Sequence, residues 1–370
     1  MLTLKAPHHY WNEPNLLQKS GSLIAPYGKK AFIVAGQKAL KAAGPALLES
    51  LEQAGITRTT ALFGGKVTAA EIEEYTAKAA AQPTDVVIGV GGGKALDLAK
   101  AIAGRLHLPV VTVPTVAATC ASWAAVSILY DELGRFSGYL ANEHSPILVL
   151  ADTRVLAAAP KRYLASGIGD TIVKWYEIAV NLSDEPDGLD VQIATQTARL
   201  ALDRLRRHAL TAYETAGSRE VTPALTETVN DVFVLAGLAG TVQGVKPRAG
   251  IAHAIHNSLT FFPQTAGTLH GEKVAFGLLA QTVLEGRAEH EIGELAAWLH
   301  SLKLPVTLRG LGITEVTPSI VSDIAQRVHL REETAQGLSF DVNEASLAAA
   351  IQQADQWGQR IQEEAVFAKS

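Results

Sequence analysis

The chain has 370 residues, of which 48% are hydrophobic and 19% are charged, and its formal net charge is −5. This length leaves room for two domains of ordinary size, and the composition is typical of a folded protein rather than a disordered one. The acidic balance and the absence of a Lys/Arg run argue against nucleic acid or an anionic membrane as a partner.

Short β-rich runs and helical patterns alternate over about the first 150 residues. Five apolar runs predict strands: KKAFIVAG, TTALFGG, TDVVIGVGGG, LPVVTVPT and SPILVLADT. Helical patterns separate them, one ending near Leu51, one near Ala69 to Ala81, and one reaching about Arg105. Because parallel neighbours require crossover connections, this alternation predicts βαβ units and a parallel sheet.

The pattern changes after Ala151, where strand signals nearly vanish and Ala/Leu-rich helical segments take over. We therefore expect an α/β domain over residues 1–155 and an all-α domain over residues 156–370. Two Pro/Gly-containing breaks, Val245 to Gly250 and Phe261 to Leu269, separate helices in the second part.

Cys120 is the single cysteine, so the chain has no internal disulfide, which fits a reducing compartment. The opening segment MLTLKAPHHYWNEP lacks the apolar core that a secretion signal needs. No apolar run reaches the roughly 18 residues of a membrane span. We therefore expect a cytoplasmic protein without a membrane partner.

The segment VVIGVGGGKALDLAK places three glycines between a predicted strand and a predicted helix. Gly91, Gly92 and Gly93 would let backbone N–H groups approach a pyrophosphate without a Cβ clash, and the helix N-terminus favours negative charge. The alternative is a glycine-rich turn with no ligand. Lys94 and Asp97 would then be solvated charges at the helix end rather than ligand contacts.

The segment SGIGDTIVKWYE places Asp170 between flanking glycines and an apolar run. This pattern predicts that Asp170 lies at a helix start, where an N-cap is the simplest role and a ligand role is the alternative. Lys174 follows one turn later and either pairs locally with Asp170 or contacts a ligand.

Three histidines lie near the two breaks in the helical part. His253 and His256 share one helical face, and both His253 and His270 are predicted near the start of a helix. One carboxylate and two imidazoles suit Zn²⁺ or Fe²⁺, whereas a single buried His is usually a core residue. The spacing does not choose between His253 and His256.

Four segments in this order resemble the iron-dependent (group III) alcohol dehydrogenase superfamily and its glycerol-dehydrogenase-like branch. They are GVGGGKALDLAKA, VPTVAATCASW with VSILYDELGRF, LASGIGDTIVKWYE, and HAIHNSLTFFPQTAGTLHGEKVAFG. The resemblance covers nearly the whole chain. It implies a Rossmann-like dinucleotide-binding domain, a helical metal- and substrate-binding domain, the dehydroquinate synthase-like fold, and a homo-oligomer that is at least a dimer.

The resemblance also implies one divalent metal, with Zn²⁺ favoured over Fe²⁺, held by Asp170, His253 and His270. His256 would then hydrogen-bond a ligand or relay a proton. Catalysis in this family implies hydride transfer between the nicotinamide and a carbon bearing oxygen, with the metal as a Lewis acid.

The same resemblance predicts coenzyme contacts, residue by residue, at Gly93, Lys94, Asp97, Thr115, Val126 and Tyr130. Two positions depart from the glycerol dehydrogenase pattern. Ala124 stands where those enzymes have a Ser, and Gln37 replaces the Asp that receives the adenosine ribose. Because Gln37 is neutral and Lys38 beside it is cationic, we expect NADP(H) to be accepted, with NAD(H) binding through a plain ribose as the alternative.

Within the branch the chain resembles hydroxycarboxylate dehydrogenases, which reduce 2-oxo acids. Cys120 occupies the position of an Asp that holds polyol hydroxyls in glycerol dehydrogenases. Lys174 and Arg248 are cations where those enzymes carry neutral residues, so either could bind a substrate carboxylate. We therefore predict reduction of a 2-oxo acid. A glycerol or polyol dehydrogenase is the alternative, and a dehydroquinate-synthase-type enzyme or a non-catalytic nucleotide-binding protein ranks lower.

Overall fold

The structure is a computed structural model that describes residues 2–180, 188–243, 250–330 and 338–367. The strands of this part are β1 (Thr3–Leu4), β2 (His9–Glu13), β3 (Lys30–Ala35), β4 (Thr57–Leu62), β5 (Val86–Gly91), β6 (Val110–Pro114), β7 (Val126–Tyr130), β8 (Phe136–Ala141), β9 (Leu148–Asp152) and β10 (Val242–Gln243).

The helices described are α1 (Ser20–Ile24), α2 (Gln37–Gln53), α3 (Ala69–Ala80), α4 (Gly93–Leu106), α5 (Thr153–Ala158), α6 (Lys161–Ala179), α7 (Leu189–Thr215), α8 (Pro223–Asn230), α9 (Ala236–Thr241), α10 (Ile251–Leu259), α11 (His270–Leu284), α12 (Glu289–Ser301), α13 (Pro318–Gln326) and α14 (Glu344–Phe367). A π-helical turn, Asp231–Leu235, joins α8 to α9.

The main sheet has six parallel strands in the order β2-β9-β6-β5-β3-β4. From β3 the chain passes through α2 to β4 at one side, and then through α3 to β5 on the other side of β3. Such a reversal leaves a crevice beyond the carboxyl ends of the two central strands, where ligands of this architecture bind. Here those ends lead into Gln37 after β3 and into Gly92 after β5.

Alternating side chains of the buried strands pack on opposite faces of the sheet. Phe32 and Val34 of β3 belong to one apolar cluster together with residues of α3 and α4. Ile33 of the same strand belongs to a second cluster with α1 and α2. Parallel strands covered on both faces are continuously apolar, which is why the sequence pattern identified them.

A third apolar core is formed largely by helices after residue 151. Here α6, α10 and α11 are neighbours, and α14 packs along α11. The expected fold, a parallel-sheet part followed by a helical part, is therefore confirmed. The division at residues 155 and 156 stays a prediction. In the part of the chain that the structure describes, no helix is both long and apolar enough to cross a bilayer.

The sequence analysis missed four strands of the first part, β1, β2, β7 and β8. Strand β2 forms the edge of the sheet beside β9, and β7 and β8 form a separate antiparallel pair. Strand β1 pairs with β10, which connects the start of the chain to the helical part.

Candidate metal and coenzyme site

Three helices bring Asp170, His253 and His270 together. Asp170 comes from α6, and the two histidines lie in the first turns of α10 and α11. His253 Nε2 lies 3.4 Å from Asp170 Oδ1, and His270 Nε2 lies 3.3 Å from the same oxygen. One potential ligand atom from each residue lies within 4.8 Å of the others.

Asp170 lies in the middle of α6, so its prediction as a helix-start residue was wrong. The glycines around it serve close packing between helices instead. A Cβ on Gly167 would lie 2.1 Å from the carbonyl oxygen of Ala117. On the facing helix, a Cβ on Gly271 would lie 1.8 Å from the carbonyl oxygen of Ser166. The absence of these side chains allows α6 to approach α11 closely enough for Asp170 to reach His270.

The geometry of these three residues fits a divalent metal. A tetrahedral ion with ligand bonds of roughly 2.0–2.1 Å has ligand atoms about 3.3–3.4 Å apart. The two distances from Asp170 Oδ1 to the imidazole nitrogens match this edge length. Burial alone would raise the pKa of Asp170, but the Lys174 ammonium and the bonds to His253 and His270 hold that pKa well below its usual value. Asp170 is therefore ionised, as a metal ligand must be.

Glu177 is a buried carboxylate that the sequence analysis missed. It lies on α6 seven residues after Asp170 and accepts hydrogen bonds from the backbone N–H of His253 at 3.0 Å and from its Nδ1 at 2.9 Å. Burial opposes the charged imidazole, but the nearby carboxylates raise the pKa of His253 to about 9. The bond to Nδ1 leaves Nε2 directed at Asp170, and a carboxylate behind a ligating histidine is the common support of such ligands. The spacing of seven residues between Asp170 and Glu177, which is two helical turns, was the signal in the sequence that could have revealed Glu177.

A hydrogen-bonded chain fixes the orientation of His270. Its Nδ1 lies 3.0 Å from His256 Nε2, and His256 Nδ1 lies 3.0 Å from the Oδ1 of Asn257. Because the amide oxygen only accepts, His256 carries its proton on Nδ1 and accepts from His270 through Nε2. A neutral His270 with its proton on Nδ1 would offer the Nε2 lone pair to a metal ion beside Asp170. Burial, with the positive charges around it, holds the pKa of His256 well below its usual value.

Lys174 and Arg248 were predicted as cations that could bind a substrate carboxylate, and the structure describes only the first of them. Lys174 is buried, and its Nζ lies 3.2 Å from Asp170 Oδ1 and 3.1 Å from the Asp170 carbonyl oxygen. The local-pair alternative for Lys174 therefore matches the structure. Arg248 lies outside the described residues.

The glycine turn lies between β5 and α4, as the sequence predicted, and its role as a phosphate site stays a prediction. Gly91 ends β5 with a φ of +153°, and a Cβ there would lie 2.9 Å from Ala95 Cβ. Gly92 is the N-cap residue of α4, and Gly93 is its first residue. The Thr115 N–H donates to the Gly91 carbonyl at 3.0 Å, which places the residue after β6 beside this turn.

Lys94 and Asp97 differ in environment. Lys94 Nζ lies 4.5 Å from the centre of the Tyr130 ring. Asp97 is buried, so the alternative of a solvated helix-end charge does not hold for it. Its Oδ2 accepts from the Ile128 N–H, and its Oδ1 lies 2.9 Å from Lys100 Nζ.

Lys100 is a second buried residue that the sequence analysis missed. Its Nζ donates to the carbonyls of Ala121, Ala124 and Val126 at 2.8, 2.9 and 2.5 Å. It thereby holds the loop that contains Cys120 and Ala124 and the first residue of β7 against α4. Cys120 itself begins a 3₁₀ turn in this loop and is half-buried.

The glycine turn and the histidine cluster are connected through the loop after β6, because a Cβ on Gly93 would lie 3.2 Å from Thr119 Oγ1 of that loop and Ser166 Oγ on α6 donates to its Ala118 carbonyl at 3.4 Å. Burial raises the pKa of Asp97 on α4, and the charge of His270 on α11 is among the groups that oppose this rise. Gln37 and Lys38 lie exposed in the first turn of α2, at the same sheet edge as the glycine turn. A Cβ on Gly91 would lie 3.7 Å from Ala39 Cβ of that turn. These placements suit a coenzyme that runs from α2 past the glycine turn to the cluster.

Comparisons with known proteins agree with this arrangement. The family model for iron-containing alcohol dehydrogenase matches residues 7–153. A glycerol dehydrogenase from Pseudomonas putida is 33% identical over 364 residues, covering 97% of this chain and 99% of the relative. Hydroxycarboxylate dehydrogenase A from Escherichia coli K12 is 35% identical over 286 residues, 77% of this chain and 78% of the relative. The crystal structure of glycerol dehydrogenase from Schizosaccharomyces pombe has a TM-score of 0.88 at 31% identity, covering 98% of this chain and 92% of that one.

Proposed function

Because the chain belongs to the iron-containing alcohol dehydrogenase family, we propose that it oxidises a hydroxyl-bearing carbon of glycerol or a related small polyol. Family membership makes it an oxidoreductase of CH–OH groups that uses a nicotinamide coenzyme and a divalent metal. The observation that carries the choice of substrate is the near full-length similarity to glycerol dehydrogenases. The prediction of 2-oxo acid reduction has weaker support, since the relative with that activity class matches a shorter part of the chain.

Asp170, His253 and His270 would hold the metal, which we propose to be Zn²⁺. When bound there, the ion supplies a Lewis acid for the substrate oxygen. Glu177 and His256 orient the two imidazoles through their second nitrogens, and Lys174 keeps the Asp170 carboxylate ionised. These supports keep the three ligand atoms in place without rearrangement.

The glycine turn would donate backbone N–H groups to the coenzyme pyrophosphate at the start of α4. The coenzyme supplies the hydride acceptor at its nicotinamide. Thr115 lies beside this turn and Tyr130 beside Lys94, and Lys100 with Asp97 fixes β7, the strand that contains Val126 and Tyr130. We further propose that Gln37 and Lys38 allow NADP(H) as well as NAD(H), since neither side chain repels a 2′-phosphate.

The metal assignment is tested with His253→Ala and His256→Ala. We expect His253→Ala to lose most of its bound zinc, while His256→Ala keeps metal with reduced affinity, because His256 acts through His270. Metal content is measured on purified protein, and glycerol oxidation is measured before and after chelation and Zn²⁺ addition. Full metal content in His253→Ala together with loss in His256→Ala would show that the two histidines have exchanged roles.

A second candidate, reduction of a 2-oxo acid, is favoured by Cys120. A thiol at this position provides no carboxylate to accept polyol hydroxyls or to repel a substrate acid. Cys120→Asp should therefore raise kcat/KM for glycerol and lower it for 2-oxobutanoate, with Cys120→Ser as the size-matched neutral control. If the parent reduces 2-oxobutanoate efficiently and does not oxidise glycerol, the polyol proposal is wrong and this candidate replaces it.

A further inference from the structure

Lys273 is a buried cation near the histidine cluster, on the side of the glycine turn. It lies on α11 one turn after His270 and is only 6% exposed. Its Nζ donates to the Thr268 carbonyl at 3.0 Å. An ammonium group carries three N–H donors, so this bond leaves donors for a further acceptor. No carboxylate forms a salt bridge with Lys273 among the residues that the structure describes.

The adjacent carboxylate, Glu272, is committed elsewhere. Its Oε1 accepts from Arg162 Nε at 2.5 Å, and its Oε2 accepts from Arg162 Nη2 at 2.7 Å. The same Oε2 accepts from the Leu269 N–H at 2.7 Å, which caps the start of α11. A carboxylate shared between a guanidinium and a helix N-terminus has little capacity left to neutralise its neighbour.

The other charges around Lys273 are positive. Burial lowers the pKa of Lys273 to about 8. The negative charge of Glu272 acts against this lowering, whereas the positive charges of Lys94 and Arg162 lower the pKa further. Lys273 in turn contributes to the lowered pKa of His256. A buried charge in such surroundings is costly unless an anion accompanies it.

The start of α11 also reaches the loop after β6, since the Gly271 N–H donates to Ser166 Oγ at 3.1 Å and Ser166 Oγ donates to the Ala118 carbonyl at 3.4 Å. A Cβ on Gly93 of the glycine turn would lie 3.2 Å from Thr119 Oγ1 of the same loop, so Lys273 lies on the helix that approaches this turn from the other side.

We propose that Lys273 binds the pyrophosphate of the nicotinamide coenzyme from the helical side, opposite the glycine turn and Lys94. The turn offers backbone N–H groups from the sheet side, and Lys273 adds a charge-assisted hydrogen bond from α11. The coenzyme would thus connect the two parts of the chain directly. The proposal rests on coenzyme use by the family and is independent of whether the substrate is a polyol.

The test compares Lys273→Met, which keeps the length without the charge, with Lys273→Arg, which keeps the charge. Binding of NADH, ADP-ribose and adenosine is measured on the metal-loaded proteins by titration, without turnover. We expect Lys273→Met to weaken NADH and ADP-ribose about tenfold or more, and Lys273→Arg to retain most of the affinity. Adenosine, which lacks phosphate, should bind all variants equally. Lys303→Met, an exposed lysine on the helical part, is the matched control and should match the parent.

Three outcomes would overturn the proposal. If NADH and ADP-ribose bind unchanged while KM rises for 2-oxobutanoate but not for glycerol, Lys273 holds a substrate carboxylate instead. If adenosine weakens as much as ADP-ribose and metal is lost, the residue is structural. If Lys273→Met does not fold, Lys273→Arg decides, because loss of ADP-ribose binding there despite full metal content contradicts a charge-based role. A parent that fails to oxidise glycerol but shows the expected binding pattern would contradict only the proposed substrate.

Discussion

Replacing Glu177 by Gln tests whether the carboxylate behind His253 supports metal binding. The substitution keeps the shape and one acceptor oxygen but removes the negative charge that faces His253 Nδ1 at 2.9 Å. Hydrogen bonds that involve a charged group contribute about 1.5–3 kcal/mol, and neutral ones about 0.5–1.5 kcal/mol. The difference, about 1–1.5 kcal/mol, corresponds to roughly a five- to twelvefold loss of metal affinity. Because Glu177 is buried, solvent does not screen this effect.

The assay is competition between the protein and a chelator, with the metal that stays bound determined at each chelator concentration. Glu285→Gln is the matched control, since Glu285 is a largely buried glutamate at the other end of α11 that pairs with Arg287 and Gln281. We expect the Glu285 variant to follow the parent curve. A Glu177→Gln protein that retains metal as the parent does would refute the supporting role of this carboxylate.

Three further substitutions test other parts of the structure. Lys100→Met leaves the Asp97 carboxylate buried without its partner, so the free energy of unfolding in urea should fall by about 3–5 kcal/mol. Adding Asp97→Asn to the same chain should recover part of this loss. A single variant as stable as the parent would contradict the pairing. Gln37→Asp should lower kcat/KM for NADPH relative to NADH, and an unchanged ratio would remove the role given to this position. Gly271→Ala should destabilise the protein and weaken metal binding because its Cβ would meet a carbonyl of α6. Gly240→Ala is the control, since this position has open space around it and the substitution should be neutral. Equal effects of the two substitutions would contradict the close-packing argument.

Four of the five strands that could be predicted, β3, β5, β6 and β9, are buried, whereas the fifth, β4, is an exposed strand at the sheet edge. The missed strand β2, HYWNE, has mixed polarity and lies at the sheet edge, so its conformation depends on pairing with β9, more than a hundred residues later. The β7–β8 pair is similarly held by Lys100 and Asp97, which belong to α4. Contacts between distant segments leave no periodic signal in a local window.

The candidate site shows the same limit. The residue types and spacing left His253 and His256 open, and only the family resemblance implied the set Asp170, His253 and His270. The glycines beside Asp170 suggested a helix start because their actual neighbours, on α11 and the loop after β6, are remote in sequence. Glu177 lies at a helical spacing that could have revealed it. Lys273 could not be recognised from the sequence. Its buried ammonium is notable because the adjacent carboxylate, Glu272, pairs with Arg162, which lies 110 residues away in the sequence.

The three candidate ligands all come from helices that follow the sheet, whereas Gln37 and Lys38, which we propose to lie at the adenosine end of the coenzyme, come from α2. This separation has a practical value for protein engineering. Coenzyme preference can be redesigned at Gln37 and Lys38 without disturbing metal loading, and the ligand set can be exchanged for one that suits another ion without rebuilding the nucleotide crevice. The two alterations should combine additively, because the groups share no contact partner among the described residues.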